Sequence, residues 1–161
     1  MRYVYWVMEG LLAGRPGPVL RPWDPAELYA GGIRAVVSLA QEEPISDLTR
    51  YGLLHYHAQF PPVTLFSRGM RKAFIYQSLP VWAFIHTQIT SGVPTVVHCH
   101  AGKDRTGSIL AGYLMTYQGA SAEEALFTLR SACPEAMTAD GYADVLEFLS
   151  PAQLPDPRTL L

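Results

Sequence analysis

The pattern of apolar and polar positions predicts strands that alternate with helices. Short apolar or β-branched runs, separated by turn residues, predict strands at 3–7, 11–13, 34–39, 53–58 and 95–98. Longer stretches with helical features lie at 25–30, 71–91, 106–117 and 121–133. Such an alternation is typical of α/β proteins, in which helices cover both faces of a sheet. We therefore expect a central, mostly parallel sheet of four to five strands, with a hairpin formed by the first two runs.

Three features of this pattern concern the later part of the chain. Pro80 lies inside the stretch 71–91, and we expect it to kink or split that helix. Thr138 is placed to cap a last helix that ends near Leu149. The segment 151–161 carries three prolines, which predicts a loosely held tail after a single domain at 1–150.

Composition narrows the class of protein. The chain has 161 residues, 49% of them apolar and 16% charged, which suits one folded domain. The net charge of −2 argues against a nucleic-acid-binding or membrane-surface protein. No apolar run approaches the roughly 20 residues of a membrane span. Cys99 and Cys133 are the only cysteines, which suggests a reducing cytoplasm rather than a disulfide framework.

One segment joins a predicted strand to a predicted helix through a loop suited to phosphate. It runs from His98 to Gly107 with the sequence His-Cys-His-Ala-Gly-Lys-Asp-Arg-Thr-Gly. A tight loop in this position directs backbone N–H groups into one concavity, and the helix N-terminus adds to the positive field. Gly102 permits the left-handed backbone angle that such a loop requires. The segment therefore predicts a cradle for a phosphate dianion.

Two side chains in this loop supply chemistry as well as binding. The positive field of the loop favours a thiolate at Cys99, which would attack phosphorus in line. Arg105 is placed to fold back and offer its planar guanidinium to two phosphate oxygens. Thr106 could donate its hydroxyl to the sulfur when the sulfur leaves in a second step. We predict Cys99 as the nucleophile and Arg105 as the phosphate-holding residue.

Other sites built on the same residues fit less well. Gly102-Lys103 is not part of a Walker A loop, because Val97 stands where that motif needs glycine, and Asp104 where it needs serine or threonine. Four histidines would suit a metal ion: His55, His57, His98 and His100. A metal bound there would also bind the thiolate of Cys99 and prevent its attack on phosphorus, and the phosphate-binding loop accounts for Cys99 without a metal. We therefore expect no metal ion and no cofactor.

The loop resembles that of the cysteine-dependent protein tyrosine and dual-specificity phosphatases, whose signature is His-Cys-x5-Arg-Ser/Thr. Residues 6–14, 32–39 and 52–56 also look like strands of the small atypical dual-specificity phosphatases, so that the similarity covers about residues 4–149. It implies hydrolysis of phosphate monoesters in two steps through a phosphocysteine, without a metal. The residues placed around the phosphate are then His100, Ala101, Gly102, Lys103 and Thr106.

The chain departs from this family at the general acid. The family uses an aspartate on a separate loop, whereas the corresponding stretch 57–63 contains no acid, and Gln59 cannot act as one. The Cys-x-x-Gly-x-Asp-Arg sequence also resembles the loop of myotubularin lipid phosphatases and of some secreted bacterial phosphatases. In those enzymes the Asp before the Arg is assigned the acid role. The resemblance therefore implies Asp104 as the acid, while helix capping or pairing with an arginine is its structural alternative.

The sequence leaves the substrate open. Phosphotyrosine, with or without phosphoserine and phosphothreonine, in a phosphorylated protein is the first candidate. Phosphoinositides or inositol phosphates are the second, because Lys103 and His100 add positive charge and the lipid-phosphatase relatives have basic residues there. Arg68, Arg71 and Lys72 form a basic cluster that favours a solvated helix start over a substrate clamp. A catalytically weak phosphate-binding module and a rhodanese-like sulfurtransferase remain as alternatives of other classes.

Overall fold

The computed structural model describes all 161 residues and contains one five-stranded sheet. The strands are β1 (Tyr5–Met8), β2 (Leu12–Arg15), β3 (Ala35–Ala40), β4 (Leu54–Phe60) and β5 (Thr95–His98). Their order is β1-β2-β5-β3-β4, with β1 and β2 antiparallel and the other neighbours parallel. The predicted mostly parallel α/β sheet and its opening hairpin are confirmed. β5 lies in the centre, and all four of its residues are buried.

Helices cover both faces of this sheet, as the sequence predicted. They are α1 (Pro25–Ala30), α2 (Arg68–Thr90), α3 (Arg105–Thr116) and α4 (Ala122–Ala132), with 3₁₀ turns at Thr49–Tyr51, Ala143–Phe148 and Pro157–Leu160. Alternate strand residues belong to two separate clusters, because side chains along a strand point to opposite faces. The smaller cluster packs around Leu28 of α1, whereas the main core includes α2, α3 and α4. None of the helices combines the length and hydrophobicity of a membrane-spanning segment.

Helix α2 holds α3 in place through a close contact. The indole of Trp82 is fully buried and donates from Nε1 to the carbonyl of Ile109, at 2.9 Å. A Cβ atom at Gly112 would clash with the same indole ring, so that glycine at this position allows the two helices to approach. This contact fixes the helix that begins at the end of the phosphate-binding loop.

Helix α2 is continuous through Pro80, so the expectation that proline could split it is wrong. Proline removes one backbone donor and leaves the carbonyl four residues earlier without a partner. Pro80 and Tyr76 both lie on the exposed side of the helix, where water can bond to the carbonyl of Tyr76. The cost of the missing hydrogen bond is therefore small enough for the helix to continue.

Two expectations for the end of the chain are also wrong. Thr138 caps no helix: its hydroxyl donates to the carbonyl of Glu135, and the next turn begins only at Ala143. The tail is not loosely held, because Leu160 is buried in the main core and Ala152 donates its N–H to the carbonyl of Met115 at 2.8 Å. An apolar residue that reaches the core outweighs the local effect of the prolines.

Candidate active site

The loop predicted to bind phosphate connects the C-terminal end of β5 to the first residue of α3. Gly102 has a φ of +71°, and a Cβ atom there would lie 2.5 Å from the carbonyl oxygen of Arg15, so that both backbone angle and space require glycine. The hairpin end supports the loop from behind: the hydroxyl of Tyr5 donates to the carbonyl of Gly102, and the N–H of Gly17 donates to the carbonyl of His100 at 2.9 Å. The loop is therefore held on a rigid part of the sheet.

A cavity of about 270 Å³ opens over this loop. Five of its lining residues come from the loop: Cys99, His100, Ala101, Asp104 and Arg105. Cys99 is 2% exposed, and the N–H of Gly102 points to its Sγ at 3.3 Å. A backbone N–H directed at sulfur favours negative charge on it. Lys103, Gly102 and Thr106 do not line the cavity, and the hydroxyl of Thr106 is buried without a hydrogen-bond partner.

The guanidinium of Arg105 is fixed by a carboxylate that faces the same cavity. Its Nη1 and Nη2 donate to the two carboxylate oxygens of Glu42, each at 2.7 Å, and Nη1 also donates to the carbonyl of Phe60 at 2.9 Å. A guanidinium has five N–H donors, and these bonds use three of them. The two that remain, on Nε and Nη2, lie on one edge of the group. Glu42 thus holds Arg105 in place and leaves free an edge suited to two phosphate oxygens.

A second carboxylate follows directly. Glu43 is 3% exposed, and its Oε1 lies 2.8 Å from Nδ1 of His100. The sequence alone assigned neither Glu42 nor Glu43 to the site. Their position in the sequence could have indicated them. The two residues follow β3, which is parallel to β5, so that they lie at the carboxyl ends of the strands, where β5 also ends. The hydrogen bonds from Arg105 lower the pKa of Glu42, so that Glu42 stays ionised at neutral pH and is poorly suited to donate a proton.

Asp104 lies in the cavity beside Arg105 but fills neither structural role considered for it. Its side chain makes no capping bond to α3 and pairs with no arginine. Instead its Oδ1 accepts a hydrogen bond from the backbone N–H of Ala139, at 3.1 Å. The second carboxyl oxygen makes no hydrogen bond within the protein. Asp104 is the loop's only acid that faces the cavity.

The part of the cavity wall outside the loop and Glu42 contains no acid. Pro62, Val63 and Thr64 form it together with Tyr142, whose hydroxyl donates to the carbonyl of Val63. Burial raises the pKa of Tyr142 to about 12, so that the hydroxyl keeps its proton and this bond. Gln59, the residue nearest the family's usual acid position, does not line the cavity.

The basic residues around the cavity are largely paired. Lys103 forms an ion pair with Glu135, and Arg71 lies 3.6 Å from Asp144. Arg68 stacks over the ring of Phe148, outside the cavity. None of Arg68, Arg71 and Lys72 lines the cavity. Arg68 and Arg71 are packed or paired at the helix start, where the sequence favoured solvated side chains.

A hydrogen-bond chain runs behind the cysteine. The Oγ of Ser38 lies 2.6 Å from Nε2 of His98 and 2.8 Å from Nε2 of His55, while Nδ1 of His98 lies 3.1 Å from the carbonyl of Cys99. That carbonyl can only accept, so Nδ1 of a neutral His98 donates to it and Nε2 accepts from Ser38. Ser38 then accepts from His55. The four histidines are thus not gathered at one point, since His100 turns to Glu43 instead.

The buried ring of His98 predicts a pH dependence of stability. Burial lowers the pKa of His98 from 6.5 to about 4. Because the unfolded chain protonates near pH 6.5 and the folded chain does not, stability is fully present above pH 6.5 and falls as the pH drops toward 4. We expect a loss of about 3 kcal/mol from this residue. Urea unfolding between pH 4.5 and 7 measures it.

Two variants separate this effect from general acid unfolding. His98→Gln should flatten the pH dependence of the unfolding free energy, whereas His57→Gln, which removes an exposed histidine, should leave it unchanged. Equal slopes in wild type and His98→Gln would show that His98 is not the residue responsible.

The chain belongs to the dual-specificity phosphatase family, since residues 25–148 match the model of the dual specificity phosphatase catalytic domain. Membership of this family makes it a cysteine-dependent phosphatase. No curated protein sequence matches it.

Solved structures agree with this assignment. The crystal structure of Tk-PTP in the active form is 26% identical, with a TM-score of 0.75 over 91% of this chain and 95% of its own. Human DUSP28 is 17% identical, with a TM-score of 0.73 over 91% and 92% of the two chains. A structure of PTPMT1 in complex with PI(5)P is 16% identical, with a TM-score of 0.70 over 90% and 92%. The last two share the fold.

Proposed function

We propose that this phosphatase hydrolyses phosphotyrosine in proteins, with or without phosphoserine and phosphothreonine, through a phosphocysteine at Cys99. The observation that carries the proposal is one cavity in which Cys99, the free edge of Arg105 and Asp104 all take part. A nucleophile, an oxyanion-binding group and an acid in one cavity meet the requirements of phosphoryl transfer from a monoester.

In the first step the thiolate of Cys99 attacks phosphorus, and the bond from phosphorus to the ester oxygen breaks. Arg105 and the loop N–H groups bind the three other phosphate oxygens, where charge concentrates in the transition state. Asp104 gives its proton to the departing oxygen, which leaves as the alcohol or phenol, and becomes a carboxylate. The product on the enzyme is a thiophosphate ester.

In the second step water replaces sulfur at phosphorus. Asp104, now ionised, takes a proton from the attacking water as the new bond forms. Thr106, whose buried hydroxyl has no other partner, donates to the departing sulfur of Cys99. Phosphate leaves, and the thiolate and the protonated Asp104 are restored.

The cavity wall supports an aromatic phosphate ester. Val63 and Tyr142 present apolar surface beside the loop, which suits the ring of a phosphotyrosine. The basic side chains that line the cavity already contact carboxylates: Arg105 contacts Glu42, and His100 contacts Glu43. Few positive charges are therefore left for additional phosphates on the substrate.

Arg105→Lys should lower kcat/KM for a phosphotyrosine peptide by roughly 10²–10³, because an ammonium cannot span two phosphate oxygens. Steady-state kinetics measure the loss. Arg130→Lys, a similar change at an arginine that bonds the carbonyls of Ala136 and Met137 outside the cavity, is the control. A loss of less than tenfold for Arg105→Lys would mean that its guanidinium does not hold the phosphate.

Hydrolysis of phosphoinositides or inositol phosphates is the second candidate. Lys103 lies in the loop, and its pair with Glu135 is exposed, so that a highly charged substrate could displace the carboxylate at little cost. PTPMT1, which shares the fold, has been crystallised with PI(5)P.

Lys103→Ala tests this candidate by comparing two substrates. We expect kcat/KM for a phosphotyrosine peptide to stay within about threefold of wild type, and that for a soluble inositol polyphosphate to fall by about tenfold or more. Double substitution with His100→Ala should widen the difference. Equal losses on both substrates would remove the case for a lipid or inositol substrate.

A further inference from the structure

A second cavity lies on the face of the sheet that α1 covers. Its volume is about 490 Å³, and it shares no lining residue with the cavity over Cys99. Three arginines line it: Arg2, Arg15 and Arg21. None of the three takes part in an ion pair, although five ion pairs occur elsewhere in the molecule. Three guanidinium groups around one cavity repel each other unless an anion lies among them.

Arg15 is the central residue of this group. It is only 2% exposed, its Nε is buried without a hydrogen-bond partner, and no carboxylate lies within 4.0 Å of it. The guanidinium donates hydrogen bonds to two carbonyls only, that of Pro16 at 2.6 Å and that of Pro22 at 3.3 Å. A guanidinium keeps its charge in proteins, and a buried charge with no counter-charge is costly. The fold therefore holds a buried cation that forms no ion pair.

The other polar groups of the cavity do not neutralise it. Asp24 and Glu27 also line it, but Asp24 accepts the N–H of Ala26 at the start of α1, and neither carboxylate reaches an arginine. Counting the five charged side chains leaves the lining with a net positive charge.

Two aromatic rings hold Arg15 and Arg21 in place. The guanidinium carbon of Arg15 lies 5.3 Å from the ring centre of Trp23 and 5.9 Å from that of Tyr3, and that of Arg21 lies 5.0 Å from the ring of Tyr3. Cation–π contacts of this kind hold positive groups in place without cancelling their charge. The donors are thus organised before a ligand arrives.

We propose that this cavity binds a small oxyanion, a molecule that carries a phosphate or carboxylate group. Guanidinium groups match the oxygens of both in geometry and charge, and the volume lies in the range of small-molecule sites. The site is separate from catalysis but adjacent to the catalytic loop. Arg15 pairs with His98 across the sheet, and the ring of Trp23 packs edge-on against His98 with centroids 4.8 Å apart.

A site-resolved titration tests the proposal, because an anion will also bind at the catalytic loop. Sodium pyrophosphate is added to the ¹⁵N-labelled protein at constant ionic strength, and amide shifts are followed by NMR. We expect the amides of Arg2, Arg21 and Trp23 to saturate with their own Kd, distinct from the Kd seen at 100–105. A second titration with citrate distinguishes phosphate from carboxylate ligands. The class is assigned from whichever of pyrophosphate and citrate has the lower Kd at the second site.

Two exposed arginines give matched variants that should fold normally. Arg21→Gln should weaken binding at the second site about tenfold and leave the Kd at 100–105 unchanged. Arg50→Gln removes the same charge outside the cavity and should change neither. The proposal is overturned if neither anion gives saturable shifts at Arg2, Arg21 and Trp23. Equal effects of the two variants would also overturn it, because they would indicate only general attraction to a positive surface.

Discussion

Cys99→Ser should reduce kcat toward any phosphate monoester by a factor on the order of 10⁴–10⁶, as in other enzymes that lose their nucleophile. The serine hydroxyl has nearly the same size but stays protonated at neutral pH, so that it cannot attack phosphorus as a thiolate does. Inorganic phosphate should still bind, because the loop N–H groups and the free edge of Arg105 remain. Steady-state kinetics and calorimetric titration with phosphate measure the two parts of this result.

Cys133→Ser is the matched control for this experiment. Cys133 lies at the end of α4 and does not line the cavity, so that its replacement should leave kcat within about twofold of wild type. A kcat of Cys99→Ser within about tenfold of wild type would exclude Cys99 as the nucleophile. Loss of phosphate binding together with turnover would indicate that the loop had lost its shape.

Asp104→Asn should slow the enzyme by an amount that depends on the leaving group. Tyrosine leaves as an oxygen of high pKa and needs a proton, so we expect kcat/KM for a phosphotyrosine peptide to fall by roughly 10²–10⁴. An aryl phosphate with an acidic phenol departs as the anion and should be affected much less. Asparagine can still accept the N–H of Ala139, so that the loop and its contacts are preserved. Comparing p-nitrophenyl phosphate with the peptide measures the difference.

The pH–rate profile gives a second measure of the same residue. The decline at high pH should flatten in Asp104→Asn, because the group that loses its proton there is gone. Asp140→Asn, at an exposed aspartate that does not line the cavity, is the control for lost charge. A uniform loss on both substrates would make Asp104 a structural residue. No loss on either would mean that another group, or none, supplies the proton.

The parts of this protein that could be predicted from sequence are those with local signals. The strand 95–98 is a short apolar run, and Gly102 lies where the loop requires a left-handed angle. The spacing from Cys99 to Arg105 places both at one turn between strand and helix, and the structure brings them into one cavity. These features depend on residues that are close together in the chain, so that the local sequence is enough to predict them.

The features that could not be predicted depend on contacts between distant residues. Glu42 lies 63 positions before Arg105, and only the parallel pairing of β3 with β5 brings them together. Pro80 is tolerated because it lies on the exposed side of α2. The stretch 71–91 is broadly apolar, so that its sequence pattern does not show which side of the helix is exposed. Leu160 is buried in the core, although the proline-rich segment before it predicted a loosely held tail.

The pair formed by Glu42 and Arg105 affects the entropy of substrate binding. A free arginine side chain has about 2 kcal/mol of rotamer entropy, much of which is lost when it is fixed on a ligand. Here that entropy is already lost on folding, because Glu42 and the carbonyl of Phe60 hold the guanidinium in one position. An arriving phosphate meets a donor edge that need not be ordered. More of its binding energy is then available to stabilise the transition state.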